Sequence, residues 1–343
     1  VPRRLIFNVD FEERLAGRSP RIEPGLARKL AARFLFLGSA EDVLEADWEL
    51  PEAFRARFPG LPRVAARGSG PPALLEWAPT EPAATVRRVN SKPFAHALAA
   101  RLGLGPPGVL CDSVREVAER LPQGRWVVKR PFGHGGRGHF LGAGPALPPN
   151  APGWIEKALA PGEPVLLEPW VEREADYSTQ LEVGDEPTVL ACLELLTTPQ
   201  GAYVGNRVGT VPDAVARELA SVARATGAAL QGEGYRGPVG VDAYASAGKL
   251  RPLVEVNARH TFGRVALAIA RRLGAPIASW LTVPGPWKGA LEGAGWRVTD
   301  PFAHESGPTS VFLWAGSRDE LLALEERVLA SQGVAGGGGR SGG

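Results

Sequence analysis

The sequence predicts an α/β (α+β) fold of two or three packed domains, on three observations. Its 343 residues are enough for that many separate cores. The N-terminal stretch reads strand, helix, strand, as a small α/β unit does. Farther on, strand-like runs joined by glycine-containing turns alternate with helical patterns, which predicts antiparallel hairpins covered by helices.

Composition narrows the class. A formal net charge of +2 supplies no global field for nucleic acid or a membrane surface. The longest apolar runs, such as "FLFLG" and "VFLWAG", are strand-length, short of the roughly 20 residues of a spanning helix. The opening "VPRRLIFNVDFEERLAG" becomes charged too soon for a secretory signal. Cys111 and Cys192 match no zinc or redox spacing, so a reduced, cytoplasmic setting is the expectation. Of 39 basic residues only Lys29, Lys92, Lys129, Lys157, Lys249 and Lys288 are lysines, so each lysine is a more informative choice than usual.

In order along the chain, "RLIFNV" predicts a strand, "GLARKLAAR" a helix, and "FLFLG" a second strand, with Ser39 capping a helix over "AEDVL". The Pro/Gly-rich "RGSGPPALLEWAPTEPAAT" predicts a boundary. "SKPFAHALAARLG" and "VREVAERL" follow as helices, and "RWVVKRP" and "GHFLG" as strands around a glycine loop. "PVLLEPWV" is a buried strand, and "STQLEVG" with "PTVLACLELLT" a hairpin. Val215, Leu219, Val222 and Leu230 recur at helical spacing between Pro212 and Gln231. "GPVGVDAYASAGKLRPLVEVNAR" is a second hairpin turning at "ASAG", and "FGRVALAIARRLG" a helix stopped by Gly274. Ser317 and Glu320 stand at capping-box spacing, and "GGGGRSGG" reads as flexible linker.

The first chemical signal is "WVVKRPFGHGGRGHF", with a literal G-x-G-x-x-G at Gly133, Gly135 and Gly138. A dinucleotide fingerprint needs a helix after the glycines, but Gly142, Gly144, Pro145, Pro148 and Pro149 break any helix there. A Walker loop would end in a lysine-Ser/Thr pair, and a protein kinase would carry its lysine after the loop with H-R-D and D-F-G downstream; neither pattern is present. Two readings remain. The segment is a β-hairpin lid whose glycine N–H groups form an anion nest beside Lys129, or it is an ordinary surface turn.

The second signal is the hairpin near "LVEVNAR". Glu255 and Asn257 are two apart on a strand and share a face. If Ala247-Gly248 centre the turn, Asp242 lies opposite Leu253 and joins them by parity. Two carboxylates and an amide on one face would cost several kcal/mol uncompensated. A hard divalent cation sharing phosphate oxygens resolves the crowding; the alternative is a solvated hairpin face. Arg259, His260 and a helix start near Gly263 follow directly, which suits an anionic substrate.

Taken together, "NSK", "VVKRPFGHGGRGHF", "LLEPWVEREADYS", "VGVDAY" and "LVEVNAR", in this order from about Ser91 to Leu273, resemble the ATP-grasp superfamily of carboxylate-activating ligases. The resemblance implies a Rossmann-like N-terminal domain (1–90), helices with a glycine-loop lid (91–172), a metal and substrate domain (173–335) and a tail (336–343), with ATP clamped between two antiparallel sheets. It implies that Lys92 and Lys129 contact the phosphates under Gly133, Gly135, Gly136 and Gly138. Glu168 and the backbone of Pro169 and Val171 would face adenine, and Asp176 the ribose. Asp242, Glu255 and Asn257 would hold one or two Mg²⁺ ions, or Mn²⁺ in their place.

One departure narrows the branch. D-alanine ligases carry an arginine two residues before the first metal carboxylate, where this chain has Gly240. "EVNAR" is similar instead to the carboxylase and carbamoyl-phosphate branches, which nominates Arg259, with Arg207 in "GNRVG" as second candidate. The implied activity is an ADP-forming ligase joining a small-molecule carboxylate and an amine through an acyl phosphate. A homodimer is a further implication, since relatives pair through their N-terminal domains. Rivals are a non-catalytic nucleotide-binding regulator, a phosphotransferase to a hydroxyl, and an NAD oxidoreductase.

Overall fold

The computed structural model describes residues 1–19, 22–133, 138–198 and 201–334. Gly135, Gly136 and the tail 336–343 lie outside the described residues. Three sheets organise the chain. The first is parallel, with four three-residue strands ordered Arg63–Ala65, Val43–Glu45, Arg4–Ile6, Leu74–Glu76.

Two expectations in this region are overturned. "FLFLG" is not a strand. Leu35–Leu37 continues helix Pro24–Phe34 as one 3₁₀ turn, burying Leu35 and Phe36. A short apolar run suits a buried helix end as well as a strand. "AEDVL" is not a helix capped by Ser39. The Ser39 N–H and hydroxyl both donate to Asp42 Oδ2 (2.9 and 3.2 Å), turning the chain into strand Val43–Glu45. Within the Pro/Gly-rich stretch, Leu74–Glu76 pairs, among the described residues, with Arg4–Ile6 alone, an edge position where nearby prolines are tolerated.

The second sheet is antiparallel, ordered Val109–Cys111, Val165–Pro169, Arg125–Lys129, His139–Ala143. Trp126, Val128, Val165 and Leu167 point to one face and pack on Cys111, Val117, Ile155 and Ala158. Lys129 and Glu168 belong to the other face by parity, since Val127 pairs with Glu168 and Lys129 with Leu166. Gly142 is required here, because a Cβ would meet the Trp126 ring at 2.2 Å.

The third sheet has nine strands, and its first five run Lys249–Asn257, Gly237–Ser246, Ala175–Val183, Pro187–Thr197, Tyr203–Val208. Helix Asp213–Gly232 covers one face, with Leu219 against Tyr177 and Ala243. Helix Phe262–Leu273, capped by Thr261 and closed by left-handed Gly274, packs on the other near Gln180 and Leu193. The hairpin turn is at Ala247-Gly248, both at positive φ (49° and 69°), as a two-residue primed turn requires.

Asp242 is not opposite Leu253 as expected; it faces Glu255. The register shifts between Asp242 and Tyr244, where Pro252 on the partner strand has no N–H for the ladder. The shift is two residues long, so parity survives and the two carboxylates become direct cross-strand neighbours.

Candidate active site

The "NSK" segment builds one wall of the site. Asn90 Oδ1 accepts from the Ala258 N–H (2.8 Å), and Ser91 caps helix Lys92–Arg101 by accepting from the Phe94 N–H. Lys92 is thereby held at the helix start. Its Nζ donates to Glu255 Oε1 at 2.9 Å and to the Gly133 carbonyl at 3.2 Å, and its backbone N–H donates to the Pro131 carbonyl. One ammonium thus ties the glycine loop to the hairpin carboxylates.

Asp242 Oδ1 accepts from Ser178 Oγ at 2.8 Å, and Oδ2 from Asn257 Nδ2 at 2.9 Å. Behind Ser178, Gln180 Nε2 donates to Ser178 Oγ (3.0 Å) and Thr261 Oγ1 donates to Gln180 Oε1 (2.6 Å). Burial, and then the neighbouring Glu255, push the Asp242 carboxyl up to about 7. Burial also opposes ionisation of Glu255, but Lys92, Lys129 and Arg259 outweigh it and hold that carboxyl below its ordinary value. Two carboxylates facing each other across about 5 Å of hairpin, one of them driven towards its neutral form, are a donor set that a hard cation stabilises. The residues fit such an ion in part. Among the described residues no cluster of three or more His, Cys, Asp or Glu forms a metal site, so outside oxygens would have to complete the coordination. Asn257 Oδ1 is turned to Arg259 Nη2 (2.9 Å), which makes Asn257 an orienting residue in this arrangement.

Arg259 lies at the edge of this cluster. Its Nε pairs with Glu12 of helix Phe11–Leu15, bringing the N-terminal segment to the edge of the site. Burial alone would lower its pKa, but Glu12, Glu255 and Asp242 raise it, so the guanidinium stays charged.

Lys129 Nζ lies 2.5 Å from Glu168 Oε2, on the face of the second sheet opposite Trp126 and Val128. Pro169 ends that strand, and Val171 lies in the connector to strand Ala175–Val183. Asp176 shares a sheet face with Ser178 and Asp242. Its oxygens take Arg173 Nη1 (2.6 Å) and Thr197 Oγ1 (3.0 Å). Of the lid glycines, Gly133 meets Lys92, and Gly138 sits beside it at φ 81°.

Arg207 does not join the others. Asp176 pairs with Leu195 and Leu195 with Asn206, so Arg207 points to the opposite face. There it is fixed by Glu194 (3.0 Å) and Glu325 (2.7 Å), an ion cluster that holds helix Arg318–Ser331 on the sheet. Sequence reasoning missed Ser178, Gln180, Asn90 and Glu12. The parity of "STQ" with Asp176 was a usable signal for the first two; no local pattern announces Glu12.

No protein-family model and no curated protein matches the sequence. Solved structures do resemble the fold. A pyruvate carboxylase from Rhizobium etli aligns with a TM-score of 0.59 at 19% identity over 95% of this chain, which spans only 34% of that longer one. The biotin carboxylase domain of Hydrogenobacter thermophilus 2-oxoglutarate carboxylase, solved with MgADP, ADP and bicarbonate, gives 0.56 at 12% identity over 96% of this chain and 90% of that one. A protein from Archaeoglobus fulgidus assigned to the ATP-grasp superfamily gives 0.54 at 17% identity, covering 92% and 100%. Among the described residues no helix is long and apolar enough to cross a membrane.

Proposed function

Proceeding from the ATP-grasp fold that this chain has in common with those structures, we propose that it is an ATP-dependent, ADP-forming ligase that activates a carboxylate for attack by an amine. The observation that carries the reading is the facing pair Asp242 and Glu255, with Lys92 on one side and Lys129 on the lid opposite.

In this reading ATP lies between the lid sheet and the nine-stranded sheet, with magnesium held by Asp242 and Glu255. Bound there, the ion would neutralise charge on the phosphoryl group in transfer. Lys129 exchanges Glu168 for a phosphate oxygen, and Lys92 contacts the outer phosphates while keeping the glycine loop near them. Glu168, Pro169 and Val171 border the adenine, and Asp176 the ribose. The substrate carboxylate attacks the γ-phosphate, releasing ADP and forming an acyl phosphate. Arg259, charged and oriented by Glu12 and Asn257, steadies that group while the amine displaces phosphate. The lid keeps water from the activated acyl group.

The test is a screen of pooled carboxylates and amines with Mg·ATP, read by phosphate release and then by mass spectrometry of the products. A matched pair giving ADP, phosphate and an amide supports the reading. ATP turnover that yields only a stable phosphorylated alcohol would replace it with phosphotransfer.

A further inference from the structure

Arg33 is a buried charge that the proposed chemistry does not use. It lies near the end of helix Pro24–Phe34, is 4% exposed, and among the described residues its side chain makes no hydrogen bond or ion pair. Its guanidinium instead lies over two rings, Phe262 at 5.0 Å and Trp280 at 5.3 Å. The carboxylate whose field reaches it, Asp300, is engaged elsewhere: it pairs with buried Lys29 at 3.3 Å and accepts from the Phe302 N–H at 2.8 Å. Lys29, Arg33 and Asp300 together leave a net positive charge in the interior. Contact with two aromatic faces offsets only part of the cost of burying a guanidinium. The planar fork of donors is the shape that a carboxylate fills with paired hydrogen bonds.

The surroundings suit a ligand. The Tyr203 ring lies 5.6 Å from Phe262, and the Tyr203 hydroxyl donates to Asn206 Oδ1 at 2.9 Å. Register runs Asp176, Leu195, Asn206, Trp280 straight across the sheet, so Trp280 is on the same face as Asp242. Four strand steps separate their strands, roughly 19 Å at the usual spacing. Phe262 follows Arg259 by three residues and links the two places.

We propose that Arg33 is a specificity-determining residue that binds a carboxylate at the end of the substrate remote from phosphoryl transfer, the substrate's apolar body packing on the partly exposed Tyr203 and Phe262. That this ligand is a substrate rests on the ligase reading; that Arg33 binds a carboxylate does not.

The experiment uses the full chain and a matched pair of probes, 3-phenylpropionate and its neutral amide, titrated by calorimetry, with Mg·ATP titrated separately. The expected result is that the acid binds at least about tenfold more tightly than the amide, the scale of losing a charge-assisted pair. Arg33→Met should erase the difference, leave Mg·ATP affinity unchanged, and unfold at the same or higher denaturant concentration, because a buried unpaired charge has been removed. Wild-type protein that fails to bind the acid, or binds acid and amide alike, overturns the proposal. So does an Arg33→Met variant that keeps the preference. Should Arg33→Met not fold, Arg33→Lys must still weaken acid binding, and the wild-type comparison decides alone. Loss of Mg·ATP binding with the acid preference intact would sink the ligase reading and spare this one; the reverse pattern would do the opposite.

Discussion

Lys92 and Glu255, 163 residues apart in sequence, meet at 2.9 Å, and the same ammonium reaches the Gly133 carbonyl. A cation that touches both a hairpin carboxylate and the lid loop can pass from one to a phosphate as nucleotide arrives. Lys92→Met should therefore lower turnover by roughly 10²–10³-fold, the range for losing one preorganised charge contact. Steady-state ADP release checks this, with circular dichroism showing the fold retained.

Lys129 and Glu168 form a pair 2.5 Å apart with side chains only 16% and 7% exposed. Removing one partner of such a pair strands the other. Glu168→Met should cost roughly 2–3 kcal/mol in denaturant unfolding, and adding Lys129→Met should recover most of it. A double variant less stable than the single would show that Lys129 stabilises the fold through groups other than Glu168, such as Glu255.

At Gly240 a Cβ would meet Thr261 Cγ2 at 2.6 Å. The place where D-alanine ligases carry arginine is therefore filled, in this chain, by the residue that caps helix Phe262–Leu273. Gly240→Ala should destabilise the protein by about 1–3 kcal/mol through overpacking. The double variant Gly240→Ala/Thr261→Ser removes the clashing methyl and keeps the capping hydroxyl, so its unfolding midpoint should return towards wild type.

Burial would raise the Asp42 carboxyl, but the Arg3 side chain and the Ser39 and Arg3 amides outweigh it and hold it at about 2, against 3.8 in the unfolded chain. The folded value is depressed, so the unfolded chain binds the extra proton between these values. The contribution, about 2 kcal/mol, is complete above roughly pH 4 and is lost as pH falls through 2. Asp42→Asn should remove it, and unfolding free energies across that window should be flatter in the variant than in wild type.

How far the sequence was legible follows from how local each feature is. The Ser317/Glu320 capping box, the Gly274 helix stop and the Ala247-Gly248 turn depend on neighbours in sequence, and they stand where the patterns place them. "FLFLG" misled because an apolar pentapeptide does not distinguish a buried strand from a buried helix end. The Asp242–Glu255 pairing escaped because Pro252 shifts the register by an amount that parity cannot detect. Arg207 was drawn into the site by its type, although its face is set by pairing with strands on either side. Glu12 and Arg33 come from helices whose docking on the C-terminal sheet no local pattern encodes.

Calorimetric titration of ATP with and without Mg²⁺ asks whether Asp242 and Glu255 hold a cation through which nucleotide is bound. Saturable binding of one ATP should require Mg²⁺ and disappear in Asp242→Asn/Glu255→Gln. ATP binding that is absent from the wild type, or equally tight in the double variant, would contradict it.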